Sequence, residues 1–247
     1  LVEHLFSTRM GGVSKGIFAT MNLSFTRGDE EAAVQENFRR IAKVMHGKQE
    51  DFVCSDQTHT VNIRKVTKED KGKGVLREKD YRDIDGLVTD EPGIILSCFF
   101  ADCVPLYFLD TKKKVIGLAH SGWRGTVNRM GREMTAFMEK EYGCRKEDMI
   151  AAVGPSICAD CYEVSEDVAD AFRREFGEDV LSAGRKEGKY QLDLWRANEK
   201  VLLDAGLTGA QISVTDICTC CNEDKLFSHR ASKGKRGNLG AFLSLRE

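Results

Sequence analysis

The stretch that decides the fold reads IILSCFFADCVPLYFLDTKKKVIGLAHSGWRGT (residues 94–126). Its apolar runs, Ile94 to Phe100, Val104 to Leu109 and Val115 to Ala119, are rich in β-branched and aromatic residues and are separated by polar breaks. That pattern predicts buried strands. The longest apolar passage, Ile94 to Leu109, is interrupted by Ser97, Asp102 and Pro105, so it does not read as a membrane span. A helix is expected from Gly125 to Tyr142, with Val127, Met130, Met134, Phe137 and Met138 on one side and Gly143 as its stop.

Outward from this centre, the same rules predict further elements. Leu1 to Thr26 reads as strand, turn and strand. Asp29 to Gly47 reads as a helix carrying Val34, Phe38, Ile41 and Met45 at helical spacing. Phe52 to Val66 reads as two short strands around Asp56-Gln57-Thr58-His59, and the charged run from Lys68 to Asp83 as a solvated, mobile loop. Met149 to Val153 is a strand ending at Gly154-Pro155. Ser165 to Phe176 and Leu192 to Ala205 are helices, the first N-capped by Ser165. Ile212 to Thr215, Lys225 to Ser228 and Leu239 to Leu245 complete the chain as strands. Strands and helices are intermixed throughout, and the expectation is one α/β domain over residues 1–247.

Composition narrows the function. The 247 residues carry 37 Lys+Arg against 39 Asp+Glu, a net charge of −2, which argues against bulk electrostatic binding of nucleic acid. Nine cysteines, an odd number, reject a fully paired disulfide framework. No basic region followed by an apolar one opens the chain, so reduced thiols and a cytoplasmic location are expected. P-loop, nucleophile-elbow and dinucleotide-fingerprint motifs are missing.

The candidate chemistry gathers at polar breaks. His120 ends an apolar strand and precedes Ser121-Gly122-Trp123-Arg124-Gly125-Thr126, a turn into a helix. In open α/β sheets ligands bind beyond strand carboxyl ends, and the helix start with Arg124 suits an anion. Cys103 lies in the break Ala101-Asp102-Cys103, and a hairpin can bring it to the same sheet edge as His120. His59 lies far upstream in Gln57-Thr58-His59-Thr60. Two imidazoles and a thiolate form the donor set of a catalytic Zn²⁺ site, and the same residues suit a metal-free Cys–His nucleophile pair. His4 and His46 read as structural. Cys158-Ala159-Asp160-Cys161 and Cys218-Thr219-Cys220-Cys221 match no compact zinc module by spacing and read as reduced structural thiols. Ser228-His229-Arg230 with Lys233 to Arg236 reads equally as a second polar cluster or as a solvated loop.

Several motifs occur in one order: Gln57-Thr58-His59, Asp85-Gly86-Leu87-Val88-Thr89, Ala101-Asp102-Cys103-Val104-Pro105, His120-Ser121-Gly122-Trp123-Arg124-Gly125-Thr126, Gly154-Pro155-Ser156-Ile157, Cys218-Thr219 and Phe227-Ser228-His229-Arg230. With Ser7-Thr8-Arg9, Gly11-Gly12-Val13-Ser14 and Met21-Asn22-Leu23, the chain resembles the laccase-domain, or multicopper polyphenol oxidase, family over almost its whole length. The resemblance implies an α/β/β/α layered fold with mixed sheets. It also implies zinc-dependent phosphorolysis of adenosine, inosine and guanosine, with 5′-methylthioadenosine cleavage and adenosine deamination as further activities. Zinc ligands fall on His59, Cys103 and His120, and Arg39, beside Arg40, is a candidate substrate contact. Ser121 stands where Ala is usual, and Gly237-Asn238 replaces the usual Gly-Arg. The expected partners are purine nucleosides and inorganic phosphate, steered by Arg124 and Arg39, with Asp85 and Asp102 orienting the site. Three rival readings stand beside this one. They are a copper phenol oxidase, which needs more histidines than the five present, an amidohydrolase using Cys103 and His120 without metal, and a zinc scaffold without catalysis.

Overall fold

Val115–Ser121 is buried along its whole length, on both faces, and the rest of the molecule is layered about it. The computed structural model describes residues 1–246. In chain order the strands are β1 (Val2–Phe6), β2 (Phe52–Cys54), β3 (Ile63–Lys65), β4 (Gly86–Thr89), β5 (Ile95–Phe100), β6 (Val104–Asp110), β7 (Val115–Ser121), β8 (Met149–Val153), β9 (Glu163–Ser165), β10 (Leu181–Ala183), β11 (Lys189–Leu192), β12 (Ile212–Val214) and β13 (Leu239–Leu245). The helices are α1 (Glu31–Val44), α2 (Trp123–Val127), α3 (Met130–Tyr142), α4 (Glu166–Phe176) and α5 (Leu194–Asp204).

A mixed six-stranded sheet has the order β12-β8-β6-β7-β4-β3, and a mixed four-stranded sheet the order β1-β13-β5-β2. Strand alternation sorts their side chains into three layers. Between the sheets lie Leu96, Cys98, Phe100, Leu109, Ile116, Leu118, Ala241 and Leu243. Outside the four-stranded sheet, Phe52, Ile95 and Phe242 meet Val34, Phe38 and Ile41 of α1. Outside the six-stranded sheet, Val104, Leu106, Phe108 and Val115 meet Met130, Met134 and Met138 of α3 and Val201 and Leu202 of α5. This is the α/β/β/α arrangement. A small sheet, β10-β11-β9, packs beside α4. No helix among the described residues is long and apolar enough to cross a membrane.

Several expectations are corrected. The helix expected from Gly125 to Tyr142 is broken: α2 is a single turn, and Arg129 takes the left-handed conformation (φ 59°) before α3 begins. The apolar period runs straight through the break and conceals it. Arg129 is held in place by ion pairs with Glu175 and Asp204, which tie α4 and α5 to this corner. Gly143 does end α3, with φ 65°. The second strand expected before Thr26 is a short 3₁₀ turn at Gly16–Phe18, and Lys225 to Ser228 runs from a turn into irregular chain with no strand. The run from Lys68 to Asp83 is not a solvated excursion. Asp70 is 3 % and Lys73 9 % exposed, and the Asp70 Oδ1 accepts from Lys73 Nζ and Arg64 Nη2, each at 2.8 Å. Tyr81 closes the segment by donating to the Cys54 carbonyl at 2.6 Å.

Ser121, the departure from the family's Ala, has a structural partner. Its hydroxyl donates to Asn198 Oδ1 at 2.9 Å, while Asn198 Nδ2 donates to Thr126 Oγ1 at 3.0 Å, so β7, α2 and α5 are joined by one buried polar network.

Candidate active site

The chain crosses between the two large sheets at the segment between β2 and β3 and at the turn between β5 and β6. His59 sits in the first crossover and Cys103 in the second. His120 lies on β7, opposite Pro105 in the β6–β7 register, which brings it to the Cys103 turn. One ligand atom from each of His59, Cys103 and His120 lies within 4.8 Å of the others. The two rings meet edge to face with centroids 4.9 Å apart.

Asp85 builds this cluster. It is fully buried, just before β4, and its Oδ1 lies 2.7 Å from His120 Nδ1. With Nδ1 so engaged, Nε2 is left for a metal ion or a proton. The same carboxylate accepts from the backbone N–H groups of Thr58 (3.1 Å), His59 (3.2 Å) and Thr60 (2.9 Å) and from the Thr60 hydroxyl (3.0 Å). One side chain therefore sets the turn that carries His59 and the ring of His120. His59, itself one of the clustered donors, has φ 68°, and Asp102, next to Cys103, has φ 86°, sparsely populated conformations for non-glycine residues. Gln57 fixes the wall. Its amide receives the Phe99 N–H at 2.7 Å and donates to the Phe99 carbonyl at 2.7 Å, mimicking a strand partner for β5.

Asp102 is held apart from the metal-ligand atoms. It accepts from Thr219 Oγ1 and from the Arg230 N–H, both at 2.7 Å, and its carbonyl accepts from the Ile157 N–H at 3.0 Å. It thereby orients the Cys103 turn. Gly122 closes the other side: a Cβ there would lie 3.0 Å from Cys103 Sγ and 3.1 Å from His59 Cδ2.

The electrostatics are those of a charge-separated pair. Burial pushes the Cys103 thiol up, but the His120 charge and hydrogen bonds from His120 and His59 outweigh it and hold the thiol down to about 6. Burial pushes His120 down, yet the Cys103 charge and the Asp85 hydrogen bond raise it to about 9. Two nitrogens and a readily formed thiolate suit a borderline-soft ion such as Zn²⁺, and three protein donors are one short of a closed tetrahedral set. Without an ion, the same Asp85–His120–Cys103 series is an oriented nucleophile pair.

The cluster opens into a cavity of about 380 Å³, within the range of small-molecule sites. Phe25, Phe99 and Phe100 supply aromatic wall, and Arg27, Lys79 and Arg236 supply positive charge. Arg236 favours the polar-cluster reading of its loop over the solvated one: it is 8 % exposed, and its Nε has no hydrogen-bond partner. Burial, then the charge of Arg27, holds this guanidinium down to about 10. No motif pointed to it. The only signal was its place at the end of a short basic run. Arg124 and Arg39 stand outside the cavity lining. Arg124 is exposed and stacks on Trp123, 4.3 Å from the ring centroid, and Arg39 is exposed on α1 and paired with Glu36.

Comparison with known proteins follows the same lines. The family model described as multi-copper polyphenol oxidoreductase laccase matches residues 3–246. Purine nucleoside phosphorylase YlmD of Bacillus subtilis (strain 168) is 38 % identical over 244 residues, covering 98 % of this chain and 88 % of that protein. Adenosine deaminase RL5, from an unknown prokaryotic organism, is 31 % identical over 229 residues, covering 91 % and 87 %. The crystal structure of the hypothetical protein YfiH of Bacillus licheniformis superposes with a TM-score of 0.95 at 35 % identity, covering 99 % of this chain and 93 % of that one. The layered fold and the matched length leave one conclusion: this chain belongs to the multi-copper polyphenol oxidoreductase laccase family.

Proposed function

We propose that this protein is a zinc-dependent purine nucleoside phosphorylase, acting on adenosine, inosine or guanosine with inorganic phosphate. The observation that carries the reading is the junction of the His59/Cys103/His120 donor set with a cavity lined by the nearly buried Arg236 and by Arg27. Two guanidinium groups brought together on one wall repel each other, and an anionic substrate between them offsets that repulsion. Copper chemistry of the multicopper kind needs many more histidines than the five present, and two of those five stand at the site.

His59, Cys103 and His120 would hold the ion, which when bound supplies positive charge against the electron density that collects on the departing base. The chain's own residues do the rest. Arg236 and Arg27 orient the phosphate for attack on the ribose carbon, so that a C–O bond forms as the bond to the purine nitrogen breaks. Phe25 and Phe100 offer flat apolar faces to the base. Asp85 keeps the His120 ring fixed through Nδ1, which presents Nε2 to the cavity. Arg124 and Arg39 are proposed as outer cations that draw the phosphate dianion toward the mouth.

Incubation with inosine and phosphate tests the reading. Hypoxanthine and ribose 1-phosphate should appear together, should require phosphate, and should not be accompanied by oxidation of phenols. Arg236→Met should raise the KM for phosphate about tenfold or more while zinc content stays unchanged. The Asp85–His120–Cys103 series favours a second reading, a thiol amidohydrolase. Full phosphorolysis and full zinc content in Cys103→Ala would remove the site assignment, and amide hydrolysis by zinc-free protein would install the rival. Ammonia release from adenosine measures the deaminase activity that the resemblance to RL5 suggests.

A further inference from the structure

A second cysteine cluster lies outside the cavity. Cys158 and Cys161 flank a 3₁₀ turn, and Cys218 and Cys221 sit in a turn beyond β12. Spacing along the chain hides their relation, because 57 residues separate Cys161 from Cys218. The fold closes the gap with a parallel bridge between Ser156 and Cys218, so the four thiols, free as expected, are brought together.

All four Sγ atoms lie within 4.8 Å of one another. Cys161 Sγ is 3.5 Å and Cys158 Sγ 4.0 Å from Cys221 Sγ. A tetrahedral ion with zinc–sulfur bonds of about 2.3 Å needs sulfur–sulfur edges of about 3.8 Å, which these two values bracket. The same distances are far beyond a disulfide bond of about 2.05 Å. Two backbone N–H groups, of Cys158 and Cys221, point at Cys218 Sγ, each at 3.3 Å, and such donors stabilise a thiolate that carries negative charge. Packing of reduced thiols explains one close pair. It does not explain four sulfurs converging with two amides aimed at one of them.

We infer that Cys158, Cys161, Cys218 and Cys221 form a tetrahedral thiolate site for a structural Zn²⁺, separate from the His59/Cys103/His120 cluster. All four positions are filled by protein, so the ion has no open position for substrate. Its work is mechanical. Thr219 lies inside the Cys218–Cys221 turn and holds Asp102, next to Cys103. The ion pins that turn to the Cys158–Cys161 segment and so steadies the active-site loop from behind.

The test is zinc stoichiometry in protein freed of the first site. His59→Ala, Cys103→Ala and His120→Ala are combined, and the purified reduced protein is desalted and measured by elemental analysis. One zinc per chain should remain, and it should be lost when Cys158→Ser and Cys221→Ser are added. A folded triple variant without zinc, or one that keeps its zinc after both serine substitutions, overturns the proposal. Should the serine variants fail to fold, cobalt loading of the triple variant decides. Intense sulfur-to-cobalt charge transfer with tetrahedral d–d bands supports the site, and a pale octahedral spectrum rejects it. A mass two hydrogens lower in freshly isolated, unreduced protein would mark a disulfide pair instead and would likewise reject it. None of these readouts depends on phosphorolysis, so the proposal stands or falls apart from the proposed function.

Discussion

Single side chains set the chemistry of the His59/Cys103/His120 cluster, and two of them give clear tests. Cys103 and His120 form a thiolate–imidazolium pair in metal-stripped protein, because the lowered thiol (about 6) and the raised imidazole (about 9) leave both charged at neutral pH. The nucleophile is the thiolate, so alkylation of Cys103 by iodoacetamide should rise through about pH 6, well below the ordinary thiol value of about 8.5. His120→Ala removes the stabilising cation and should move the profile upward. Mass spectrometry of the labelled Cys103 peptide reads both, and a wild-type profile rising only near pH 9 would refute the pairing. Gly122 has an ordinary negative φ (−73°), so the need there is for space and not for backbone freedom. Gly122→Ala would press a methyl against Cys103 Sγ and His59 Cδ2. It should weaken zinc binding about ten- to a hundredfold while changing the melting temperature little, as chelator competition and calorimetry would record.

At the scale of elements, the segment between β3 and β4 shows how a charged run becomes architecture. Asp70 binds Lys73, Arg64 and the Thr67 N–H, and Lys73 also reaches Asp80 at 2.8 Å. This network holds the segment that carries Gly74 and Lys79 to the cavity wall. Asp70→Ala leaves a nearly buried lysine short of a partner and should cost about 3 kcal/mol in urea denaturation. Burial raises the Asp70 carboxyl, but Lys73, the Thr67 amide and Arg64 bring it below its usual 3.8. A depressed folded value stabilises the protein above that usual value and is lost as pH falls through it. The penalty of Asp70→Ala should therefore be full at neutral pH and fade below about pH 4. Sequence could not show this, since a run of Lys, Glu, Asp and Gly has the same composition whether its charges face water or each other. It did reveal the long buried strands β5, β6, β7 and β13 and helices α1, α4 and α5, because their apolar periods are sustained. The three-residue strands β9 and β10 bury too little for such a period to register, and the left-handed residue that splits α2 from α3 leaves none. The three candidate ligands were legible as polar breaks at strand ends. The Asp85 anchor of His59 and His120 joins residues 25 to 35 apart, and the burial of Arg236 beside Arg27 joins the two ends of the chain, so neither has a local signature.

For the molecule as a whole, the position of the cluster matters as much as its composition. His59 and Cys103 occupy two of the crossovers between the large sheets, and His120 belongs to β7 at the centre of the six-stranded one. The inter-sheet layer is otherwise held mainly by apolar contact, with the Tyr107 hydroxyl of β6 donating to the Leu5 carbonyl of β1 at 3.1 Å and Phe100 of β5 set against the His120 ring at 5.5 Å between centroids. An ion bound by all three residues therefore cross-links the layers at one end, where the unfolded chain offers no preformed site. Ligand linkage makes that cross-link a stability term: at free zinc a hundredfold above the dissociation constant it contributes about 2.7 kcal/mol. For a chain of this size each kcal/mol moves the melting temperature by about 2–4 °C. With the four-cysteine site removed by Cys158→Ser and Cys221→Ser, zinc should accordingly raise the melting temperature of stripped protein by roughly 5–10 °C. Adding His59→Ala to that background should lose most of the gain while melting close to the stripped parent in the presence of chelator, because an exposed imidazole on a polar turn contributes little packing of its own. A background melting temperature indifferent to zinc, or a His59→Ala version that gains as much as its parent, would mean that these three residues do not clasp an ion between the sheets.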